Sequence, residues 1–312
     1  MKRNAIALLV TISFVTVIVA LIGISTGMVN DSFKRVSNKL FLVQSNVLFS
    51  DVVSILKDAT ADVNDSMGLD IFLSVPLFFE NKQNDMTMNI TFESAASTLN
   101  INHLLKKDDN QTKEKKNRFE PVALQRNYEE YFERILSIYN LSDKILFLSM
   151  IADTLDKDLQ ERSFGSEIAL EDPFFTQGHI YDMSHFRQII RAYKKQTLDF
   201  NIDTIPWDTL VGFHADFIDF NQISPQTLQH LAPDIDPESL GAYTTDKVDI
   251  YDNMEGLPFD SETKKRLQDM NVVFYDPLVA GEMNIYNGEN RMQIAFLYDL
   301  SSKKVSNIEI SY

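Results

Sequence analysis

The chain contains no cysteine, which excludes disulfides, thiolate metal sites and cysteine nucleophiles. Glycine and proline are scarce, ten and nine in 312 residues, and the glycines form no phosphate-binding loop. Five histidines, His103, His179, His185, His214 and His230, show no H-E-x-x-H spacing, and no serine stands in a G-x-S-x-G elbow. The pattern therefore gives catalysis no foothold, and the histidines read as surface or internally satisfied side chains. Positive charge is short as well: 29 Lys and Arg face 45 Asp and Glu, for a formal net charge of -16. Nucleic acid and anionic headgroups are poor partners for a soluble part of that sign. After residue 24 there is no second apolar run as long as the first, so a receptor with an output module beyond a second membrane span is disfavoured.

What is present begins with that first run. Residues 6–24, IALLVTISFVTVIVALIGI, carry no charge, and with their neighbours would rise about 30 Å as a helix, the thickness of a bilayer's hydrocarbon core. Lys2 and Arg3 precede it, so the positive-inside rule holds that end in the cytoplasm and sends the rest outward. A secretory signal has a shorter core and a small-x-small cleavage site, which Gly23, Ser25 and Gly27 could imitate. Beyond Gly27, the apolar positions Val29, Phe33, Val36, Leu40, Val43, Val47, Val52 and Leu56 continue in steps of mostly three and four. The membrane helix is expected to run on into an amphipathic helix that ends near Lys57. Hydrophobic residues make up 44% of the chain, enough for one or two domains outside the membrane.

The period then changes twice. Residues 69–79 are apolar and rich in strand formers, and residues 86–92 alternate with a period of two, which predicts two strands around a turn at 81–85. Residues 106–118, KKDDNQTKEKKNR, hold no apolar side chain and read as a solvated boundary. From Pro121 to Met270 the chain reads as short helices. Leu124 to Tyr139 marks one and Ile145 to Leu155 a second, Ser184 is an N-cap candidate for a third, Ser224-Pro225 opens a fourth, and Asp260 caps residues 261–270. Strand patterns return at 272–275, 282–286, 292–298 and 305–310, with turn formers at Asn287-Gly288 and Ser301-Ser302. The fold class that follows is α+β: a long N-terminal helix packed on an antiparallel sheet, interrupted by a helical insertion. The expected division is 1–5 leader, 6–58 N-terminal helix, 59–105 first part of the sheet domain, 106–120 charged linker, 121–270 insertion and 271–312 closing strands.

One acidic constellation is dense, running from Asp153 to Glu167. Asp156, Asp158 and Glu167 are spaced like the first, third and last ligands of a Ca²⁺ loop, but Glu161 stands where an EF-hand needs glycine. A non-standard Ca²⁺ site and a capped, solvated acidic turn both remain open.

Asp153-Thr-Leu-Asp156-Lys-Asp158 with Gly165-x-Glu167, then Trp207 to Leu210, and residues 218–231 (IDFNQISPQTLQHL) resemble the type II secretion minor pseudopilin family of general secretion pathway protein K. In that family an aspartate-rich turn with Gly-x-Glu precedes an N-x-N-T-A strand and a helix-hairpin-like, SAM-like unit. Here Asn221 is kept, Asp219 stands for the first asparagine, and Ile223-Ser224 replaces Thr-Ala; Asn100 and Asn102 resemble the family's earlier N-x-N strand, and Leu228 and Leu231 belong to the helix that follows. The likeness is diffuse, spans nearly the whole chain and keeps the family's order of elements. It implies a pilin-like fold, removal of the basic leader by a prepilin peptidase between Ala5 and Ile6, with alanine where the family usually has glycine, and a place in the inner membrane with the bulk of the chain in the periplasm. It also implies that Val10 occupies the place where most pilins carry a glutamate that pairs with the α-amino group of the neighbouring subunit, as expected of a subunit with no neighbour above it.

The function expected from this reading is assembly and contact at the tip of a secretion pseudopilus, with no reaction catalysed and no cofactor required, a Ca²⁺ ion at the acidic turn being left open. The partners would be other minor pseudopilins, the inner-membrane secretion platform and the prepilin peptidase. A tip subunit of a type IV or competence pilus, a membrane-anchored extracytoplasmic sensor and an anchored hydrolase are the competing readings; the last lacks a visible nucleophile or metal set.

Overall fold

In the computed structural model the described residues are 38–81, 86–105, 123–244 and 249–312. The apolar run at 6–24, the leader junction Ala5-Ile6, Val10 and the charged stretch at 106–118 lie outside them.

The described chain opens on α1 (Asn38–Ala59), the one helix among the described residues long and apolar enough to cross a membrane. Phe41, Ser45, Val52 and Leu56 form its buried stripe, while Leu40, Val43, Val47 and Ile55 stay exposed. One face is thus spent on the sheet and the other left open, the pattern of an amphipathic helix. Thr60 closes the helix: its hydroxyl donates to the Leu56 carbonyl at 2.6 Å and lies 3.3 Å from the Tyr298 hydroxyl on the sheet.

Residues 69–74, expected as strand, are helical. Asp65 accepts from the Gly68 amide at 2.7 Å and caps α2 (Ser66–Ser74), which buries Leu69. A short, mostly apolar stretch has no clear period to separate strand from helix, and the cap decides it. Val75, held extended before Pro76, ends the helix, and only then does β1 (Leu77–Asn81) begin. β2 (Met86–Ser94) follows, with Met86, Met88, Ile90 and Phe92 all facing the core.

Between β2 and its next sheet neighbour the chain makes a long helical excursion. Its elements are β3 (Leu99–Asn100), α3 (Arg126–Ile138), α4 (Lys144–Leu155), α5 (Ile168–Glu171), α6 (Met183–Thr197), β4 (Val211–Gly212), β5 (Ile218–Asp219), α7 (Pro225–Leu231), α8 (Pro237–Leu240), α9 (Ser261–Asp269) and β6 (Val272–Val273). The sheet then resumes with β7 (Leu278–Asn287), β8 (Asn290–Asp299) and β9 (Lys304–Ser311), in the order β1-β2-β7-β8-β9, every pair antiparallel. Gly288, at φ +56°, makes the β7–β8 turn. The residues at 272–275 do not join this sheet; Val272 and Val273 pair in parallel with Ile218 and Asp219 inside the insert.

The buried side chains form two clusters. One joins α1, α2 and the sheet through Phe49, Phe72, Phe92 and Phe296, with ring centroids 4.7–6.3 Å apart. The other fills the insert around Phe147, Phe186, Tyr193 and Trp207. Leu99, Ile101 and Leu104 belong to the insert's cluster, because β3 pairs with β4 rather than with the sheet.

Three of the expected helix starts stand where the caps put them. Asp143 accepts from Leu146, Ser224 from Thr227 and Asp260 from Thr263. The fourth is shifted: Asp182, not Ser184, caps α6 by accepting from the His185 amide at 2.7 Å. Both residues are good caps, and the carboxylate two positions earlier takes the role.

Candidate functional site

The asparagine motif is the frame of the insert and occurs twice. Asn100 follows Leu99 at the end of a two-residue strand, and its Oδ1 accepts from the Asn102 amide at 3.0 Å. Asp219 follows Ile218 in the same way, and its Oδ1 accepts from the Asn221 amide at 2.9 Å. The second asparagine of each pair is an amide clamp. Asn102 donates from Nδ2 to the carbonyls of Ile180 (3.0 Å) and Phe213 (3.1 Å) and accepts at Oδ1 from the Ile180 amide (2.8 Å). Asn221 donates to the carbonyls of Tyr251 and Phe274, both at 2.8 Å, and accepts from the Tyr251 amide at 2.9 Å. Each two-residue strand also pairs in parallel with a later one, β3 with β4 and β5 with β6. The insert is therefore two units of one plan, each a short strand, a clamp turn, helices and a parallel return. An amide is the side chain that can do this, because it offers donor and acceptor side by side.

These residues also tie the insert to the sheet. Asp219 is fully buried, its Oδ2 accepts from the Asp276 amide at 3.1 Å, and its own amide donates to Ala96. Leu228 and Leu231, both buried, hold α7 in the insert's core. Asn100, Asn102, Asn221, Leu228 and Leu231, the residues that carry the resemblance in the sequence, are thus gathered into architecture.

The acidic turn is a second, distinct centre. Asp153 is buried at the end of α4, where its Oδ2 accepts from the Ser166 hydroxyl (2.5 Å) and the Arg162 amide (3.1 Å). The Arg162 guanidinium bridges two carboxylates, Nε to Asp153 Oδ1 at 2.8 Å and Nη2 to Asp156 Oδ2 at 2.7 Å. Glu167, 2% exposed, accepts at Oε1 from the Ala169 amide (3.1 Å) and from Gln177 Nε2 (2.8 Å), and the same Gln177 amide donates to the Asp158 carbonyl at 3.1 Å. The Asp158 side chain turns back to accept from the Gln160 amide. Burial, reinforced by the charges of Asp153, Asp156 and Asp158, pushes the Glu167 carboxyl up to about 7. Burial raises Asp153 and Asp156 as well, against the lowering effect of their bonds to Arg162. Asp156 Oδ1 and Glu167 Oε2 are buried and accept no hydrogen bond. Among the described residues, no three histidine or carboxylate side chains are placed to hold one metal ion as they stand.

The histidines are structural in their surroundings. His103 sits between the Tyr128 hydroxyl (3.3 Å) and Asp216 (3.1 Å). Burial lowers the pKa of His179, His185, His214 and His230. No signal in the sequence marks the partners of Arg162, since an arginine six residues after an aspartate is common on any polar turn.

No family model matches the sequence and no curated protein matches it. A solved structure does match: a chain of the GspK-GspI-GspJ complex from the Type 2 Secretion System of enterotoxigenic Escherichia coli. The identity is 14%, the alignment covers 88% of this chain and 99% of that one, and the TM-score is 0.61. At that identity the likeness is one of fold. A long N-terminal helix on an antiparallel sheet, with a helical block set into the sheet, is the architecture that this chain shares with that secretion-system component.

Proposed function

We propose that this chain is a minor pseudopilin that caps the tip of a type II secretion pseudopilus and takes part in starting its assembly, by contact and without catalysis. The observation that carries the reading is the insert, a body with its own core lodged between two neighbouring strands of a sheet that rides on an apolar helix. A body of that size beside the sheet obstructs the addition of a further subunit. The solved neighbour, described as a complex of GspK, GspI and GspJ, supports other minor pseudopilins as partners. The secretion platform and a prepilin peptidase cutting between Ala5 and Ile6 complete the set, with one membrane pass and the bulk of the chain in the periplasm. Intact-mass measurement of the membrane-extracted protein tests the processing. A mature chain beginning at Ile6 is expected, and one beginning at Met1 would contradict pilin-type maturation.

Val10→Glu restores the carboxylate by which most pilins pair with a neighbour. The subunit should still occupy the tip, because the insert still obstructs. Removing the insert and closing β2 to β7 with a short turn should instead let the subunit into the shaft or abolish initiation.

Ca²⁺ at Asp156, Asp158 and Glu167 belongs to the same reading. The donors are hard oxygens, and the two buried oxygens without hydrogen bonds are the places where a cation would be most favoured. Millimolar Ca²⁺ should then raise the melting temperature, and replacing both aspartates by asparagine should abolish the shift. An unchanged melting temperature would leave the turn held by Arg162, Ser166 and Gln177 without a metal ion.

A further inference from the structure

The insert carries a basic groove that the assembly role does not use. α6 has the sequence MSHFRQIIRAYKKQT, with no acidic residue, in a chain whose net charge is -16. Arg187, Arg191 and Lys194 follow one another at steps of four and three, so they share one face of the helix. That face forms one wall of a groove of about 480 Å³. The opposite wall is the pair of 3₁₀ turns at Asn201–Thr204 and Trp207–Thr209, and the floor is apolar, with Ile202, Ile205 and Trp207 all at most 5% exposed. The volume lies in the usual range for a ligand cleft.

The charges are unevenly matched. Lys194 reaches Asp203 at 2.5 Å, and Arg187 meets Asp208 at 3.4 Å with both side chains more than half exposed. An exposed pair of that kind is worth little and exchanges readily for another carboxylate. Arg191 is exposed and makes no ion pair or hydrogen bond among the described residues. One cation is therefore left over in the middle of the row, with a weakly held one four residues before it.

We propose that this groove docks a short acidic polypeptide segment of a partner protein, its carboxylates on Arg191 and Arg187 and an apolar side chain toward the Trp207 floor. Charge complementarity chooses the occupant. A long polyanion would have to run past the acidic remainder of the molecule, whereas a few residues need only the groove, and charges beyond about 10 Å are screened at ordinary salt. The docking does not depend on where the subunit sits in a fibre.

Trp207 is the only tryptophan in the chain, so its emission reports on the floor of this groove. The full-length protein in detergent would be titrated with a capped synthetic hexapeptide of alternating aspartate and leucine, and separately with the lysine–leucine counterpart. The expected result is a saturable change in Trp207 emission with the aspartate peptide alone, an affinity at least about tenfold weaker for Arg191→Glu and within about threefold for Arg191→Lys, and weakening as salt is raised. Arg191→Lys keeps the charge and guards against misfolding as the cause of a loss. No saturable change, equal affinity for the two peptides, or unaltered binding by Arg191→Glu would overturn the proposal. So would equal competition by inorganic phosphate or a short oligothymidylate, which would mark a general anion surface.

Discussion

Asn102, half-buried, and Asn221, buried, each hold two distant carbonyls and one amide. Asn102→Ala and Asn221→Ala should each destabilise the chain by about 2–4 kcal/mol in chemical denaturation, since each leaves several backbone groups unpaired. The motif is legible in the sequence as N-x-N and D-x-N. Its task is not, because the groups it binds lie 30 to 111 residues away. The same limit applies to the acidic turn, where the carboxylates stand out by spacing but the guanidinium among them does not.

Glu167 gives that turn a measurable sign. Its folded carboxyl sits near 7, above the ordinary value of 4.5, so the folded state binds more protons than the unfolded state between those limits. Its contribution to stability is therefore lost as pH rises through that window. The depressed histidines act in the opposite sense, so the comparison must be with Glu167→Gln, which does not titrate. The stability of Glu167→Gln relative to the unmodified chain should increase between pH 5 and pH 7.5 in melting experiments without Ca²⁺. A flat difference would show that Glu167 is not held in a desolvated, acidic surrounding.

At the scale of elements, alternation predicted β2, strand patterns between turn formers predicted β7, β8 and β9, and caps marked the starts of α7 and α9. α2 was hidden because a short, mostly apolar stretch carries no clear period, and only Asp65 and Pro76 define it. β4 was hidden because a two-residue strand shows no alternation and exists only through its parallel partner, while β6, expected at 272–275, is a strand that pairs with β5 inside the insert and not with the sheet. The sheet itself is tightly fitted where β7 crosses β8. A Cβ at Gly281 would run into the Phe296 ring, which packs on Phe49 of α1. Gly281→Ala should cost about 1–3 kcal/mol by overpacking, whereas Ala280→Gly on the neighbouring, half-buried position should not disturb the seam between α1 and the sheet. Circular-dichroism melts of the two variants separate these outcomes.

At the scale of the molecule, two hydrophobic cores share one chain, and the junction between them is hydrogen-bonded at several points. Asp276 donates to Asp219, Asp219 to Ala96, and Gln222 to Asp70. The insert is thereby fixed in place beside the sheet and does not hang from a linker. A fixed obstruction is what the proposed capping requires. The tip position is the central claim. Immunogold labelling of sheared fibres, with antibody raised against the insert, counts where the subunit stands. A capping subunit gives a single label at one end of each fibre; label distributed along the shaft would contradict the tip position.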